Sequence, residues 1–333
     1  MESGADRRAA VRPHGPAVRA AGRSSGEGAV ERADRSSLAV LPAIVAAGAA
    51  FAVAGSQHGV SVGGAPVFAL CVLLAFAIQW IAFVPAYVLQ SERFYDLTGS
   101  VTFLSASVVA IVLGPTPDAR SFVLLGMVGV WAVRLGTYLT RRARKAGGDA
   151  RFDAIKPSFA RFLTVWTVQG LWVTLTLGAA LAALTAVLRE SLGALGFAGL
   201  AVWCAGFAIE VAADLQKSRF RALPQNRGRF IRTGLWALSR HPNYFGEIVL
   251  WVGVALVAAP VLRGWQLLTL VSPLFVFFLI TRVSGVPMLE RAADERWGGQ
   301  ADYETYKAAT PVLVPLPRRR RSAAATKDQA EER

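Results

Sequence analysis

Long, predominantly apolar stretches dominate the pattern of apolar and polar positions along the chain. Eight of them occur, at residues 38–55, 66–90, 101–113, 122–139, 162–188, 195–213, 244–262 and 265–280. Crossing the hydrocarbon core of a bilayer takes about 20 apolar residues at about 1.5 Å per helical residue. The pattern therefore predicts an all-α, polytopic transmembrane helical bundle. Because the stretch 101–113 is short, a re-entrant segment and a total of seven spans remain open.

Basic residues favour one orientation of these spans. If the N-terminus is cytosolic and all eight stretches cross, two dense basic clusters lie in inward loops, as the positive-inside rule requires. They consist of Arg141, Arg142, Arg144, Lys145, Arg151 and Lys156, and of Lys217, Arg219, Arg221, Arg227, Arg229, Arg232 and Arg240. The outward loops carry only Arg120, Arg189 and Arg263. Seven spans would place one cluster outside, so we prefer eight, with both termini cytosolic.

The two ends of the chain differ in composition from the part between them. Residues 1–37 are rich in Arg, Ala, Gly and Ser and show no apolar periodicity, which predicts a disordered basic tail. Residues 316–333 form a polar charged tail, and 38–315 form the membrane domain, with a motif-rich half at about 130–315. The sequence Ala-Val-Ala at 52–54 resembles a signal-peptide cleavage site, but the tail before it is too long, so we favour a retained first helix.

Composition narrows the classes of function. The chain is 54% hydrophobic and 17% charged, and its net charge of +14 arises mostly from the loop arginines that orient the spans. Nucleic-acid binding is not expected, because the aromatic residues lie in apolar stretches and are not interleaved with the basic runs. Cys71 and Cys204 lie inside spans, and His14, His58 and His241 are scattered. No metal site is predicted.

The densest group of candidate functional residues begins at the end of the sixth span. Glu210 and Asp214 are four residues apart and share one helix face near the cytosolic interface. Lys217 and Arg221 continue that face, so an interfacial ladder of salt bridges is the structural interpretation. The functional interpretation is a ligand site that needs these buried carboxylates.

Residues 239–247, Ser-Arg-His-Pro-Asn-Tyr-Phe-Gly-Glu, continue the group into the seventh span. Pro242 is placed to open a helix, with Ser239 as a possible cap. A helix N-terminus among loop arginines such as Arg232 and Arg240 forms a plausible phosphate cradle, for an anionic cofactor or an anionic lipid. Glu247 lies one turn inside the span, where we expect it to pair with an arginine or accept from a ligand hydroxyl.

A polar segment after the last span completes the group. It contains Glu290, Arg291, Tyr303 and Tyr306 and can fold back over the cytosolic ends of the spans. A solvated surface helix is the alternative for this segment.

Several motifs together resemble those of the steroid 5α-reductase-like membrane enzymes, in particular the bacterial branch with the domain of unknown function 1295. The motifs lie at residues 92–100, 134–138, 169–172, 214–217, 234–236, 239–247, 284–287 and 303–306. The resemblance implies a helical bundle, in the bacterial inner membrane, that binds NADPH from the cytosol. It also implies reduction of a carbon–carbon double bond conjugated to a carbonyl in a steroid-like or other lipid substrate.

The resemblance also assigns roles to residues. By motif, the cofactor pocket comprises Asp214, Lys217, Arg221, Arg232, His241, Asn243, Tyr244, Glu247, Glu290, Arg291 and Tyr306, with Arg142 and Arg144 near the adenosine phosphate. Steroid-reducing members hold the substrate carbonyl with a Glu and a Tyr, and Gln79 and Trp131 stand at about those places here. Gln79, Tyr95 and Asp96 are therefore the catalytic candidates, Gln79 as a hydrogen-bond donor.

Two other functions remain open. The isoprenylcysteine carboxyl methyltransferases share the Arg-His-Pro…Tyr and late Glu-Arg elements, which would make the cofactor S-adenosylmethionine. The basic residues at 141–145 and 217–232 favour a dinucleotide with several phosphates over this methyl donor, which has none. A non-catalytic lipid-binding protein would also explain a basic inner face. Membrane lipids and a lipophilic small molecule are the expected partners.

Overall fold

Helices make up most of this computed structural model, which describes residues 17–146 and 152–316, and side chains within 34–141 and 152–316. The α-helices are α1 Ala17–Ser56, α2 Val67–Val88, α3 Tyr95–Leu113, α4 Ala119–Ala146, α5 Phe159–Thr185, α6 Gly193–Ala222, α7 Pro242–Ala258, α8 Ser272–Phe278, α9 Val286–Trp297 and α10 Ala301–Ala309. Two short strands, β1 Ser61–Val62 and β2 Ala65–Pro66, pair antiparallel between α1 and α2, with Val62 opposite Ala65. Helix α5 is the most buried of the long helices and packs against α1, α2 and α3.

Eight helical stretches of the described chain are long and apolar enough to cross a membrane. They are Asp34–Ser56, Val67–Val88, Tyr95–Leu113, Ala119–Arg141, Phe159–Thr185, Gly193–Ala222, Pro242–Val261 and Gly264–Trp297. The prediction of an all-α, polytopic bundle is confirmed, and the protein is an integral, multi-pass membrane protein. Since eight is an even number, eight crossings would leave both termini on one side, whereas the cytosolic assignment of that side stays a prediction.

The third span is longer than its apolar stretch suggests. Helix α3 begins at Tyr95 and has 19 residues, because polar residues join its first turns. The hydroxyls of Thr98 and Thr102 donate to the carbonyl oxygens four residues earlier, at 2.8 and 2.7 Å. A hydroxyl that is satisfied by its own helix can enter a bilayer at little cost. The re-entrant alternative for 101–113 is therefore not needed.

Two other boundaries differ from the sequence expectations. Helix α1 begins at Ala17, inside the segment 1–37 expected to be disordered. Ala, Arg and Glu there have high helix propensity, and extending an existing helix avoids the cost of nucleation. The stretch predicted as one span at 265–280 is interrupted: 3-10 turns cover Gly264–Val271, α8 begins near Pro273, and a π-helical turn covers Leu279–Val283. Proline cannot donate a backbone hydrogen bond, which breaks a regular ladder there.

Helices α6 and α7 form the closest helix pair and run antiparallel. Glycines face each other at two levels, Gly199 with Gly253 and Gly206 with Gly246. A Cβ atom on Gly206 would lie 2.5 Å from the backbone nitrogen of Leu250, so only glycine permits this separation. The crossing brings the end of α6 directly beside the start of α7, which builds the candidate site.

Arginines of the loops predicted to face outward bind backbone carbonyl oxygens near helix ends. Arg120 is 1% exposed and donates to the carbonyl oxygens of Val257 and, at 2.7 Å, of Ser191. Arg189 donates to the carbonyl oxygen of Leu184 at 3.1 Å. The carbonyls of Val257 and Leu184 lie in the last turns of α7 and α5, where carbonyls have no partner within their own helix and carry the negative end of its dipole. These arginines therefore have a structural role. That role accounts for basic residues in loops that the positive-inside rule predicts to face outward.

Candidate active site

A buried group of ion pairs lies where α4, α6 and α7 meet. Arg134 lies on α4. One N–H group of its guanidinium donates a hydrogen bond to Glu210 on α6, and a second N–H group donates to Asp214 on the same helix. The side chains of the three residues are 19%, 4% and 10% exposed. Because the two carboxylates are one helical turn apart, a single forked guanidinium can bridge them. The cation that bridges the two carboxylates thus comes from another helix, in addition to the basic residues of α6 that the sequence placed on the same face.

The start of α7 joins this group. The side chain of Asn243 lies beside the carboxylate of Asp214, so we call Arg134, Glu210, Asp214 and Asn243 the Arg134 cluster. Glu247, one turn further along α7, is half-buried and within electrostatic reach of Arg134 and Asp214. The sequence therefore grouped Asp214, Asn243 and Glu247 correctly in space.

Lys217 lies one turn beyond Asp214 on α6. Its ammonium nitrogen is 4.2 Å from the centre of the Trp236 ring, a cation–π contact. Trp236 is itself anchored, since its indole nitrogen donates to the carbonyl oxygen of Ala213 at 3.0 Å. The charge of Lys217 acts on both Asp214 and His241, which links the two parts of the site.

The turn before α7 partly follows the sequence prediction. Pro242 occupies the first turn of the helix as expected, and His241 is the N-cap residue, without a side-chain cap. Ser239 is not the cap. Its hydroxyl accepts from the backbone nitrogen of His241 at 3.1 Å and donates to the carbonyl oxygen of Leu313 at 2.7 Å. The serine is held by the C-terminal segment, so it cannot reach the first amides of the helix.

The C-terminal segment folds back over this turn, as one of the two sequence alternatives proposed. The backbone nitrogen of Arg240 donates to the carbonyl oxygen of Pro311 at 2.9 Å. The hydroxyl of Tyr306 donates to the carbonyl oxygen of Trp236 at 2.7 Å. A freely solvated C-terminal helix is therefore excluded.

Glu290 on α9 makes the most direct contact from this segment to the site. One carboxylate oxygen lies 2.8 Å from Nε2 of His241, and the other lies 2.8 Å from Nη1 of Arg240. The ring of Tyr244 stacks on that of His241, with centroids 5.7 Å apart and planes inclined by 16°. Burial lowers the pKa of His241, which favours the neutral imidazole.

The remaining basic candidates lie further out. Arg232 is exposed and 3.5 Å from Asp302, beside a cavity of about 490 Å³ that Tyr306 also lines. Arg221 and Arg291 are exposed. The side chains of Arg142 and Arg144 lie outside the described residues, so their predicted role stays a prediction.

The catalytic candidates occupy α2 and α3, apart from the helices that build the Arg134 cluster. Nε2 of Gln79 donates to the hydroxyl of Thr102 at 2.8 Å, and its buried carbonyl oxygen has no partner among the described residues. The hydroxyl of Tyr95 donates to the carbonyl oxygen of Val165 at 3.1 Å, and Asp96 is half-buried in the first turn of α3.

These contacts change what Gln79 offers a ligand. Its unpartnered atom is an acceptor, whereas polarising a substrate carbonyl needs a donor. In the described part of the chain, Trp131 has a buried indole N–H without a partner, and it is 1% exposed. It packs edge-on against Phe103 and Trp251. Trp131 is therefore the better placed donor of the two.

Arg134 is the main residue missing from the sequence-predicted site. The sequence prediction includes Arg134 only within the motif at 134–138, and Glu210 only as a neighbour of Asp214 on one helix face. The available signal was a charged residue inside the apolar stretch 122–139, which in a membrane needs a partner or a function. The part of the chain with described side chains contains no group of three or more His, Cys, Asp or Glu residues that could hold a metal ion.

The fold and the site define a polytopic membrane protein with a buried polar centre at one end of its bundle. Residues 82–310, more than half of the chain, match the family described as "Protein of unknown function (DUF1295)", and the chain belongs to that family. The chain is also similar to 3-oxo-5-alpha-steroid 4-dehydrogenase 1 of Rattus norvegicus, with 27% identity over 118 residues. The aligned part spans 35% of this chain and 40% of that protein.

These comparisons confirm the resemblance to the steroid 5α-reductase-like membrane enzymes. The aligned part covers less than half of either chain. No solved structure matches the chain.

Proposed function

We propose that this protein is a membrane-embedded, NADPH-dependent reductase of a conjugated carbon–carbon double bond in a steroid-like or other lipid substrate, in the inner membrane of a bacterium. The observation that carries the proposal is the buried polar centre at the start of α7, in a chain similar to a 3-oxo-5-alpha-steroid 4-dehydrogenase. A soluble cofactor could reach this end of the bundle, and a lipid could reach the spans laterally.

The residues present fit a nicotinamide nucleotide. Within the described residues, Oε2 of Glu210, Oδ1 of Asn243 and Nδ1 of His241 are buried and have no hydrogen-bond partner. Unsatisfied buried acceptors are rare in proteins and often mark a ligand or an ordered water. The carboxamide and the ribose hydroxyls of a nicotinamide nucleotide are donors that would satisfy them.

The outer basic residues would then hold the phosphates. Arg221, Arg232 and Arg291 are exposed, so their guanidinium groups are accessible to an anionic ligand. Arg142 and Arg144 lie in the last turns of α4 and complete the proposed set for the adenosine phosphate. Asp214, Lys217, Tyr244, Glu247, Glu290 and Tyr306 would shape the inner part of the pocket. When bound, NADPH supplies a hydride.

The substrate side of the reaction needs a proton donor or a polarising group in a dry environment. Trp131 offers an indole N–H that can polarise a carbonyl oxygen, and Gln79 offers a carbonyl oxygen that can orient a substrate hydroxyl. Tyr95 and Asp96 lie at the start of α3, where either could exchange a proton with the cytosol.

One observation favours a second candidate, an S-adenosylmethionine-dependent membrane methyltransferase. The inner site carries three carboxylates, of Glu210, Asp214 and Glu247, against two cations, of Arg134 and Lys217. This excess of acidic over basic side chains would suit a sulfonium cation. A non-catalytic lipid-binding protein is the remaining alternative.

Binding measurements on the full-length protein in detergent separate the three functions. Thermal stabilisation and tryptophan fluorescence are titrated with NADPH, NADH and S-adenosylmethionine. We expect NADPH to stabilise the protein most and lipid enones to cause NADPH consumption. Stabilisation by S-adenosylmethionine alone would establish the methyltransferase, and no response to any nucleotide would leave the lipid-binding function.

A variant pair localises the site. Asn243→Ala removes the unpartnered Oδ1 beside Asp214 and should weaken NADPH binding by about tenfold, the equivalent of one lost hydrogen bond. Gln225→Ala changes an exposed residue of the loop between α6 and α7 and serves as the matched control. Equal affinities of the two variants would reject the site.

A further inference from the structure

The His241 ring has one nitrogen bound and one nitrogen without a partner. Nε2 is 2.8 Å from Oε1 of Glu290, and Nδ1 is buried with no hydrogen-bond partner in the described structure. The side chain is 6% exposed, so bulk water does not satisfy Nδ1. The contact with Glu290 therefore decides what Nδ1 can offer.

The position of Arg240 fixes the direction of this hydrogen bond. Nη1 of Arg240 lies 2.8 Å from the second oxygen of Glu290, so the carboxylate is paired as an anion. An ionised carboxylate only accepts hydrogen bonds. Nε2 of His241 must then carry the proton, and Nδ1 of a neutral imidazole carries a lone pair.

The surroundings of the ring oppose a second proton on Nδ1. Glu290 of α9 is the anion that faces the imidazole, while Lys217 of α6 and Arg240 of the preceding loop contribute positive charge. Burial acts in the same direction as these cations. The stacked ring of Tyr244 holds the plane of the imidazole.

We propose that Glu290 is a positioning residue that holds His241 in the Nε2–H form, so that Nδ1 accepts a hydrogen bond from an N–H or O–H group of the bound nucleotide. The ligand group that binds Nδ1 is an uncharged hydrogen-bond donor, such as a carboxamide or a sugar hydroxyl. A phosphate oxygen does not fit, because it would face the lone pair of Nδ1 with a lone pair of its own. This inference rests on the proposed function and assigns the ligand group at one residue. Asn243, two residues further on, presents a second unpartnered acceptor, Oδ1. The ligand can therefore donate hydrogen bonds to two neighbouring acceptors.

Two substitutions at His241 separate the two ring nitrogens. In His241→Asn, the carbonyl oxygen of asparagine takes the place of Nδ1 as an acceptor, and the contact to Glu290 is lost. In His241→Gln, the amide reaches Glu290 in place of Nε2, and the acceptor at Nδ1 is lost. We expect NADPH affinity to fall by less than about threefold in His241→Asn and by about tenfold or more in His241→Gln. The opposite order would show a purely structural histidine and overturn the proposal.

Glu290→Gln tests the positioning role with an isosteric change. Arg240 needs an acceptor, so the amide oxygen of the substituted glutamine faces Arg240 and its NH₂ group faces His241. Nε2 then accepts, and the ring proton moves to Nδ1. We expect about a tenfold loss of NADPH affinity at unchanged thermal stability. Affinity equal to that of the wild type would refute the role of Glu290.

A ligand-free readout keeps the proposal testable if the variants fold poorly. The chain has three histidines, and nitrogen NMR of histidine-labelled protein distinguishes the two neutral forms. The His241 signal should have the Nε2–H signature in the wild type, and detection of the Nδ1–H form would overturn the proposal. Wild-type protein that does not bind NADPH would reject the proposed function and the ligand assignment together, whereas the NMR result tests the role of Glu290 alone.

Discussion

Replacing Gly246 by alanine tests whether the α6–α7 crossing sets the geometry of the candidate site. An added Cβ would lie 2.6 Å from the backbone nitrogen of Glu210 and 2.6 Å from the carbonyl oxygen of Gly206. Ordinary van der Waals contact begins at 3.4 Å. Both neighbours are backbone atoms, so relief requires the two helices to separate by about 0.8 Å at this level.

We expect Gly246→Ala to lower both the stability of the protein and its affinity for NADPH. Overpacking of a tight interface costs about 1–3 kcal/mol, which should appear as a lower midpoint of thermal unfolding. The separation also moves Glu210 on α6 away from Asn243 on α7, and errors of this size in a polar site weaken binding strongly. We therefore expect NADPH affinity in Gly246→Ala to fall by more than the stability loss alone explains.

Gly126→Ala is the control for the same chemical change. Gly126 is an exposed position of α4, and an added Cβ there meets nothing within 4 Å. Alanine should stabilise that helix by up to about 1 kcal/mol without altering affinity. Differential scanning fluorimetry and NADPH titration in detergent compare the two variants. Identical stability and affinity in Gly246→Ala and Gly126→Ala would refute the steric argument.

Two further predictions concern the opposite end of the bundle. Arg120→Met should lower stability by about 1–3 kcal/mol, because it leaves buried carbonyl oxygens such as that of Val257 unpaired, and NADPH affinity should not change. Burial opposes ionisation of Asp118, but hydrogen bonds from Ser121 and nearby arginines outweigh it and lower its pKa. The stability that Asp118 contributes is complete above its unfolded pKa and is lost as the pH falls through its folded pKa. Asp118→Asn should therefore flatten the acid side of the stability–pH curve between about pH 5 and 3, and an unchanged slope would contradict this.

Hydropathy predicted the membrane architecture well, because the bilayer requires each span to be an apolar helix of about 20 residues. It located the ends of the spans less well where polar groups are satisfied locally. The hydroxyls at the start of α3 bond to their own helix, so the true span begins six residues before its apolar stretch at 101–113. Hydropathy averages count such hydroxyls as polar, although their hydrogen bonds are already made.

The partners within the site could not be predicted from spacing. Arg134 is 76 residues from Glu210, and His241 is 49 residues from Glu290. Helical periodicity relates only residues three or four apart, which is why the sequence assigned the carboxylates of α6 to basic residues of the same helix. The glycines of the α6–α7 crossing recur seven residues apart in each helix, at 199 and 206 and at 246 and 253, but this spacing does not identify the partner helix.

The arrangement of donors explains why the inner site presents acceptors. Two N–H groups of the Arg134 guanidinium bind carboxylates, and the Asn243 side chain lies beside Asp214. The single N–H of His241 binds Glu290. The Arg134 and His241 donors are engaged within the protein, so the unpartnered atoms on Glu210, Asn243 and His241 are acceptors, while Nε and Nη1 of Arg240 remain as donors beside Glu290. In the proposed complex, the donor-bearing end of the nucleotide therefore belongs inside, and its phosphates belong among the exposed arginines of the loops.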